Sequence, residues 1–182
     1  MSEAHNQGVL IFASASNSGA NDPISFPANL PYVFCIGAAD GMGRAANFTS
    51  HRYGVEKFTA LGVGVEGANV RFAYDETQSL NVRRSGTSTA APVASGIAAI
   101  FVEYTQQFLN GDRITREQLR KLFYAISKET DGHPNLYLAP WEVFRDCEHS
   151  DVGSVIGQIL ESPVPKTFWE TKTRGEMLLT RF

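Results

Sequence analysis

The sequence has little cysteine, little charge imbalance and no long hydrophobic run, and each shortage excludes a class of function. Its two cysteines, Cys35 and Cys147, lie far apart without metal-ligand spacing, so neither a disulfide framework nor a zinc site is indicated, although a single bridge stays open. Sixteen basic against 19 acidic side chains give a net charge of -3, and Arg83-Arg84 is too short a basic run to matter. Nucleic acid and anionic membrane are therefore excluded as main partners, since both need a concentrated basic surface. The N-terminus is polar, and the apolar run from Val9 to Ala13 is shorter than a signal-peptide core or a membrane span. Nothing in the sequence directs secretion, which leaves localisation open with a lean toward the cell interior. Without a secretory route, the sequon Asn47-Phe48-Thr49 reads as a chance tripeptide.

What is present is ordinary for a globular chain: 182 residues, 43% hydrophobic and 11% aromatic. A chain of this size can bury roughly two thirds of its unfolded surface, enough for one self-sufficient domain. Gly8 to Ala13 is a continuous apolar run that stops at the turn-forming Ser14 to Gly19, the pattern of a strand buried on both faces. Tyr32 to Ala38 repeats that pattern. Phe58 to Val65 is weaker, its glycines suggesting a short strand or a bend. From Ser88 a long helix is predicted, small in its first half (Ala90, Ala91, Ala94, Gly96, Ala98) and with Pro92 placed near the first turn. A second helix follows Thr115, which forms a capping box with Gln118 and carries Leu119, Leu122, Phe123 and Ile126 at helical spacing. Asp131 to Pro134 reads as a surface turn, Leu136 to Trp141 as apolar, and Ser150 to Phe182 as a mixed tail. These elements predict an α/β fold, a parallel sheet flanked by helices.

The heptapeptide Gly86-Thr87-Ser88-Thr89-Ala90-Ala91-Pro92 puts a serine where a glycine turn meets a helix start. Free N–H groups and the positive dipole end favour negative charge there, which suits a nucleophile. The bland alternative is that Ser88 or Thr87 only caps the helix.

Four segments in order resemble subtilisin-like serine proteases. The heptapeptide and the following Val93 to Ala99 are similar to that family's active-site serine motif G-T-S-x-A-x-P and its helix. Ala15-Ser16-Asn17-Ser18-Gly19 resembles the strand-end G-N-x-G that carries the oxyanion asparagine. Phe26-Pro27-Ala28-Asn29-Leu30-Pro31 with Val33 and Ile36-Gly37-Ala38 resembles Y-P-A-x-x-P…V-x-x-V-G-A, and Arg44 to Ser50 resembles the A-x-F-S-S turn. The resemblance spans about residues 8 to 128, and Asn17 sets it apart from the sedolisin-type relatives, which carry aspartate at the oxyanion position.

The resemblance implies acyl transfer from a polypeptide substrate to water through an ester on Ser88. The Asn17 amide and the Ser88 backbone N–H would stabilise the oxyanion, and Ala13, Ser14, Ala15 and Ser16 would line the specificity pocket, with Gly86 and Thr87 also meeting substrate. No cofactor and no metal-ligating residue is indicated, and calcium sites stay open. The family's earlier triad members, aspartate in D-[ST]-G and histidine in H-G-T, are not found. His5, His51, His133 and His149 are followed by Asn, Arg, Pro and Ser. Asp131-Gly132-His133 follows the serine helix, and Asp40 and His51 follow Asn17, so neither set fits the family order. Ser16 replaces a family glycine, Leu61 a proline and Val93 a common histidine. The expectation is that residues 1–149 form the C-terminal half of a catalytic domain incomplete at its N-terminus, with residues 150–182 a tail. A missing N-terminal half would then supply the aspartate and histidine. Activity of this chain alone would be weak or nil, and a non-catalytic remnant that binds peptides or a partner is the alternative.

Overall fold

The computed structural model describes residues 1–19, 21–50, 56–69, 79–108, 113–130 and 133–162. The element order is α1 (Ser2–Asn6), β1 (Phe12–Ser14), β2 (Phe34–Ala39), β3 (Lys57–Leu61), β4 (Val65–Ala68), β5 (Asn81–Arg84), α2 (Thr87–Phe108), α3 (Arg116–Ala125), β6 (Ser127–Thr130), β7 (His133–Leu138), α4 (Pro140–Phe144) and α5 (His149–Glu161). The main sheet runs β1-β2-β3-β7-β6, with β4 and β5 forming a separate antiparallel ribbon. β1, β2, β3 and β7 are parallel, and β6 joins antiparallel to β7. This is a mixed α/β protein with a largely parallel sheet flanked by helices.

Alternation along the strands sorts the side chains into two cores. On one face Phe34, Ile36 and Ala38 of β2 join Phe58 and Ala60 of β3 beneath the helices. On the other, Cys35 packs with Ala15, Ile24 and Ala28. Ala90, Ala94, Ala98 and Phe101 turn the inner stripe of α2 toward the sheet, and with so little side chain there the helix lies close to it. The fit is tightest at Gly62, just past β3, where a Cβ would stand 2.7 Å from Ala38 Cβ, 2.9 Å from Ala90 Cβ and 2.9 Å from the Gly86 carbonyl oxygen. Only glycine lets sheet and helix meet at that point.

α3 starts as its sequence indicates. Thr115 Oγ1 accepts from Gln118 N–H while Gln118 Oε1 accepts from Thr115 N–H, a complete capping box. Leu119, Leu122 and Phe123 are its buried face, and Phe123 meets Phe34 and Phe58 with ring centroids 5.4 and 5.2 Å apart. Each such side chain, fully buried, contributes about 1.5–3 kcal/mol.

Three sequence readings differ from the structure. Gly8 to Ala13 is not a strand buried on both faces: β1 is short, half-buried, and the edge of the sheet among the described residues. Pro92 lies in the second turn of α2, not the first; lacking an N–H, it leaves the Ser88 carbonyl without its helical donor. In the tail after Ser150, α5 places Val155, Ile156 and Ile159 in the main core. Its apolar positions recur at helical spacing, but Gly153 and Gly157 dilute the signal in sequence. Residues 163–182 lie outside the described residues.

Candidate active site

Two chain segments meet at one end of the sheet. After β1, Ala15 N–H still donates to Ile36 C=O at 2.9 Å, and the chain then turns at Ser16, a non-glycine residue with positive φ (115°). A side chain there is strained, which explains why the resembled motif has glycine at this position. The turn is held by Ser50 N–H on Ser16 C=O at 3.3 Å and by Gly19 N–H on Phe48 C=O at 2.8 Å. Ser16 Oγ and Ser18 Oγ lie 3.2 Å apart.

The second segment is the start of α2. Gly86 N–H donates to Gly62 C=O at 2.8 Å and Gly62 N–H to Ala39 C=O at 2.9 Å, so the helix start hangs from the sheet end. The Gly86 carbonyl accepts from Ala90 N–H and Thr89 N–H, which makes Gly86 the residue preceding the first helical turn. Neither Ser88 nor Thr87 caps the helix. Ser88 is exposed, and its hydroxyl makes no hydrogen bond among the described residues.

Thr87 is buried, 1% exposed, and serves Asn17. Its backbone N–H and its Oγ1–H both donate to Asn17 Oδ1, at 2.8 and 3.0 Å. Two donors on one oxygen fix which way the amide faces, so the NH2 group points to the other side. A Cβ on Gly86 would lie 3.1 Å from Ser88 Oγ, 3.3 Å from Asn17 Nδ2 and 3.7 Å from Asn17 Oδ1, nearer the NH2 group than the oxygen. The absence of a side chain at Gly86 keeps open the space that these two groups flank. Ser88 N–H, one of the unsatisfied donors of the first helical turn, sits at the positive end of the α2 dipole. A hydroxyl, a side-chain N–H donor and a helix N-terminus thus share one solvent-open corner, an arrangement able to hold negative charge on the oxygen of a carbonyl carbon attacked by Ser88 Oγ.

The remaining site residues fall as follows. Ala15 is fully buried and Ser16, Ala13 and Ser14 half-buried. Leu61 ends β3, and Val93 packs against the core. Asp40 is taken up by Arg44, whose Nε donates at 2.9 Å, and by the Met42 N–H. His5 stacks on Tyr32, ring centroids 5.0 Å apart. His51 and Asp131 lie outside the described residues. No helix of the described residues is long and apolar enough to cross a membrane, and no group of their His, Cys, Asp and Glu side chains could hold a metal ion. A cavity of about 360 Å³ between Asn29–Val33 and α3 shares no residue with this corner; within it Arg120 is satisfied by Glu56 and Glu117.

Sequence reasoning did not single out two positions, Thr87 as the anchor of Asn17 and Gly62 as the point of helix–sheet contact. Neither role leaves a mark in local sequence, because both partners are brought in by the fold from distant segments.

Comparison with known proteins supplies the family context. The profile described as "Subtilase family" matches residues 1–137. The thermostable alkaline protease of Halalkalibacterium halodurans is 28% identical over 137 residues, covering 75% of this chain and 34% of that protein. Alkaline elastase YaB of a Bacillus species is 33% identical over 114 residues, covering 60% and 28%. Among solved structures, the self-cleaved protease domain of PatA aligns with a TM-score of 0.58 and 29% identity, covering 70% of this chain and 45% of that one. The chain therefore spans about a third of the length of these curated relatives and less than half of that solved domain.

Proposed function

The chain belongs to the subtilase family, whose named relatives are proteases, and from that membership we propose that Ser88 is the nucleophile of a serine endopeptidase site. The observation that carries this reading is the amide of Asn17, locked by Thr87 so that its NH2 group faces the same space as Ser88 Oγ. Ser88 Oγ attacks the scissile carbonyl of a polypeptide. The carbonyl oxygen becomes an oxyanion, held by Asn17 Nδ2–H and Ser88 N–H. A base takes the Ser88 hydroxyl proton on attack and passes it to the amine that collapse expels, leaving an acyl ester on Ser88, which water then hydrolyses. Ser16, half-buried, borders the approach of the substrate; Ala15, fully buried, and Gly86, also buried, support the two segments from behind, and Thr87 acts through Asn17.

A serine hydroxyl at neutral pH is a weak nucleophile without a base. Ser88 Oγ has no such partner among the described residues, so we assign the aspartate and histidine to a separate part of the fold, and the chain alone is weakly active or inactive. In subtilisin, from which the magnitude is carried over, oxyanion hole and binding alone retain about 10³–10⁴ of rate over water. The same missing base favours one alternative, a remnant that binds peptides or a partner without cleaving them. A fluorophosphonate probe separates the two. Labelling of Ser88 once a chain with the rest of the fold is added supports the endopeptidase site, and no labelling in that mixture removes it.

A further inference from the structure

The cavity between the Asn29–Val33 loop and α3 lies at the other end of the sheet from Ser88. Val33 immediately precedes β2 and Glu56 immediately precedes β3, so the cavity opens beside the N-terminal ends of these strands, whereas the Ser88 corner lies beyond the C-terminal ends. Leu30, Pro31 and Val33 make its apolar wall, and the rest is charged, Arg116 and Arg120 of α3 with Glu56 and Glu117. Its volume of about 360 Å³ falls at the lower end of small-molecule sites, which span about 300–1,000 Å³.

The two arginines differ in how they are satisfied. Arg120 donates from Nε to Glu56 Oε1 at 2.6 Å and from Nη1 to Glu117 Oε1 at 2.9 Å, and its guanidinium lies 4.9 Å from the Tyr124 ring centroid. Arg116 makes no hydrogen bond among the described residues, although its guanidinium carries five N–H donors. Its Nε is buried without a partner, and its Nη1 stands 3.8 Å from Glu117 Oε2, beyond hydrogen-bond reach. Only 22% of the side chain is exposed. As the first residue of α3, Arg116 also sits at the positive end of the helix dipole, which repels a cation. Stacking 5.0 Å over the Phe34 ring offsets part of these costs. A guanidinium mostly out of water, at the wrong helix end and short of acceptors still breaks the local rules, and such breaks concentrate at functional sites.

We propose that this cavity binds a small organic monocarboxylate, its carboxylate on Arg116 and its apolar body against Leu30, Pro31 and Val33. A planar carboxylate accepts two parallel N–H bonds from one guanidinium, the pairing for which arginine is suited. Because Nε is closed to solvent, that pairing falls to the two terminal nitrogens. Glu56 and Glu117 border the same space and repel a second negative group, so dianions are disfavoured. Occupancy ties the loop ahead of β2 to the start of α3, and the ligand stabilises the folded chain by mass action. The site shares no residue with the Ser88 corner and does not rest on the endopeptidase reading.

The test uses the intact chain with N-acetylleucine as probe, read by isothermal titration calorimetry and by the shift of the thermal midpoint. N-acetylleucine should bind at millimolar concentration and raise the midpoint. N-acetylleucinamide, which lacks the charge, and inorganic phosphate should each bind at least tenfold more weakly. Arg116→Gln should weaken N-acetylleucine at least tenfold. Arg116→Lys, which keeps the charge and the aliphatic stem but loses the fork, should do the same and covers the case in which Arg116→Gln does not fold. Arg113→Gln removes an exposed cation near the same helix start but outside the cavity, and should leave binding unchanged. No binding to the parent at millimolar probe, equal binding of the amide, or binding indifferent to both Arg116 variants overturns the proposal. An equal loss in Arg113→Gln also overturns it, because the attraction is then general to anions. Tighter binding of phosphate than of N-acetylleucine does so as well, since the occupant is then an inorganic anion.

Discussion

Replacing Gly62 by alanine tests the contact that ties the sheet to the helix of Ser88. The added methyl would meet Ala38 Cβ at 2.7 Å, Ala90 Cβ at 2.9 Å and the Gly86 oxygen at 2.9 Å. All three atoms are backbone or are fixed directly by it, so no side chain can rotate away and the helix start itself must shift. Overpacking of this kind costs about 1–3 kcal/mol, occasionally more. Gly96 is the internal control: it lies in the same helix system, has nothing within 4 Å of its hypothetical Cβ, and alanine in a helix interior gains about 0.8–1 kcal/mol over glycine. Urea unfolding should therefore place Gly62→Ala below the parent and Gly96→Ala above it, separated by about 2–4 kcal/mol. In a thermal scan each kcal/mol corresponds to about 2–4 °C for a chain of this length. If Gly62→Ala unfolds within 0.5 kcal/mol of the parent, the close approach is not a constraint and the argument for how Ser88 is presented fails.

Other expectations follow from the same geometry. Ser16→Gly removes a side chain from a residue at φ 115° and should stabilise the chain by about 1 kcal/mol; a lower urea midpoint would show that the hydroxyl contributes more than the strain costs. Thr87→Val keeps the shape but removes one of two donors to Asn17 Oδ1, costing about 1 kcal/mol in stability. It should also slow labelling of Ser88 in the complemented protein more than it weakens complex formation, and equal effects on both would deny Thr87 a positioning role. Lys57 is buried on the face opposite α2, and burial pushes its pKa down to about 8. Above that value the unfolded chain holds a proton on this lysine that the folded one lacks, so stability should rise with pH from about 8 to about 9; beyond that the buried Cys35 thiol, pushed up to about 12 by burial, acts in the opposite sense. Lys57→Met should flatten this rise and stabilise the chain at pH 7 by up to about 2 kcal/mol, after discounting the lost bond to Ser50 C=O; a parent curve that falls from pH 8 to 9 refutes the assignment.

The parts of this architecture that were legible in sequence are those written locally. The Tyr32–Ala38 run and the Thr115–Gln118 box became β2 and a complete cap, because continuous apolarity and a capping pair act within one element. The serine motif and the asparagine loop, far apart in the chain, do meet at one corner. What sequence could not give were relations between distant segments. The edge position of β1 depends on which strands lie beside it, not on its own apolar residues. The choice between Ser88 as cap and Ser88 as free hydroxyl turned on Gly86, whose carbonyl accepts the first helical bond. α5 was hidden because its glycines weaken an otherwise helical pattern, and its burial against α2 and α3 comes from tertiary packing.

The central claim is that Ser88 and Asn17 form a nucleophile and oxyanion pair awaiting a base from another part of the fold. Its most direct measurement is the rate of Ser88 phosphonylation by a fluorophosphonate, read by mass spectrometry, for the chain alone and with the complementary polypeptide. The account predicts slow or no modification alone and rapid modification of Ser88 in the mixture. The mixture's rate should be abolished by Ser88→Ala and cut about 10²–10³-fold by Asn17→Ala, the range known for the oxyanion asparagine of subtilisin itself. Modification of another residue, or a rate in the mixture unaffected by Asn17→Ala, would contradict it.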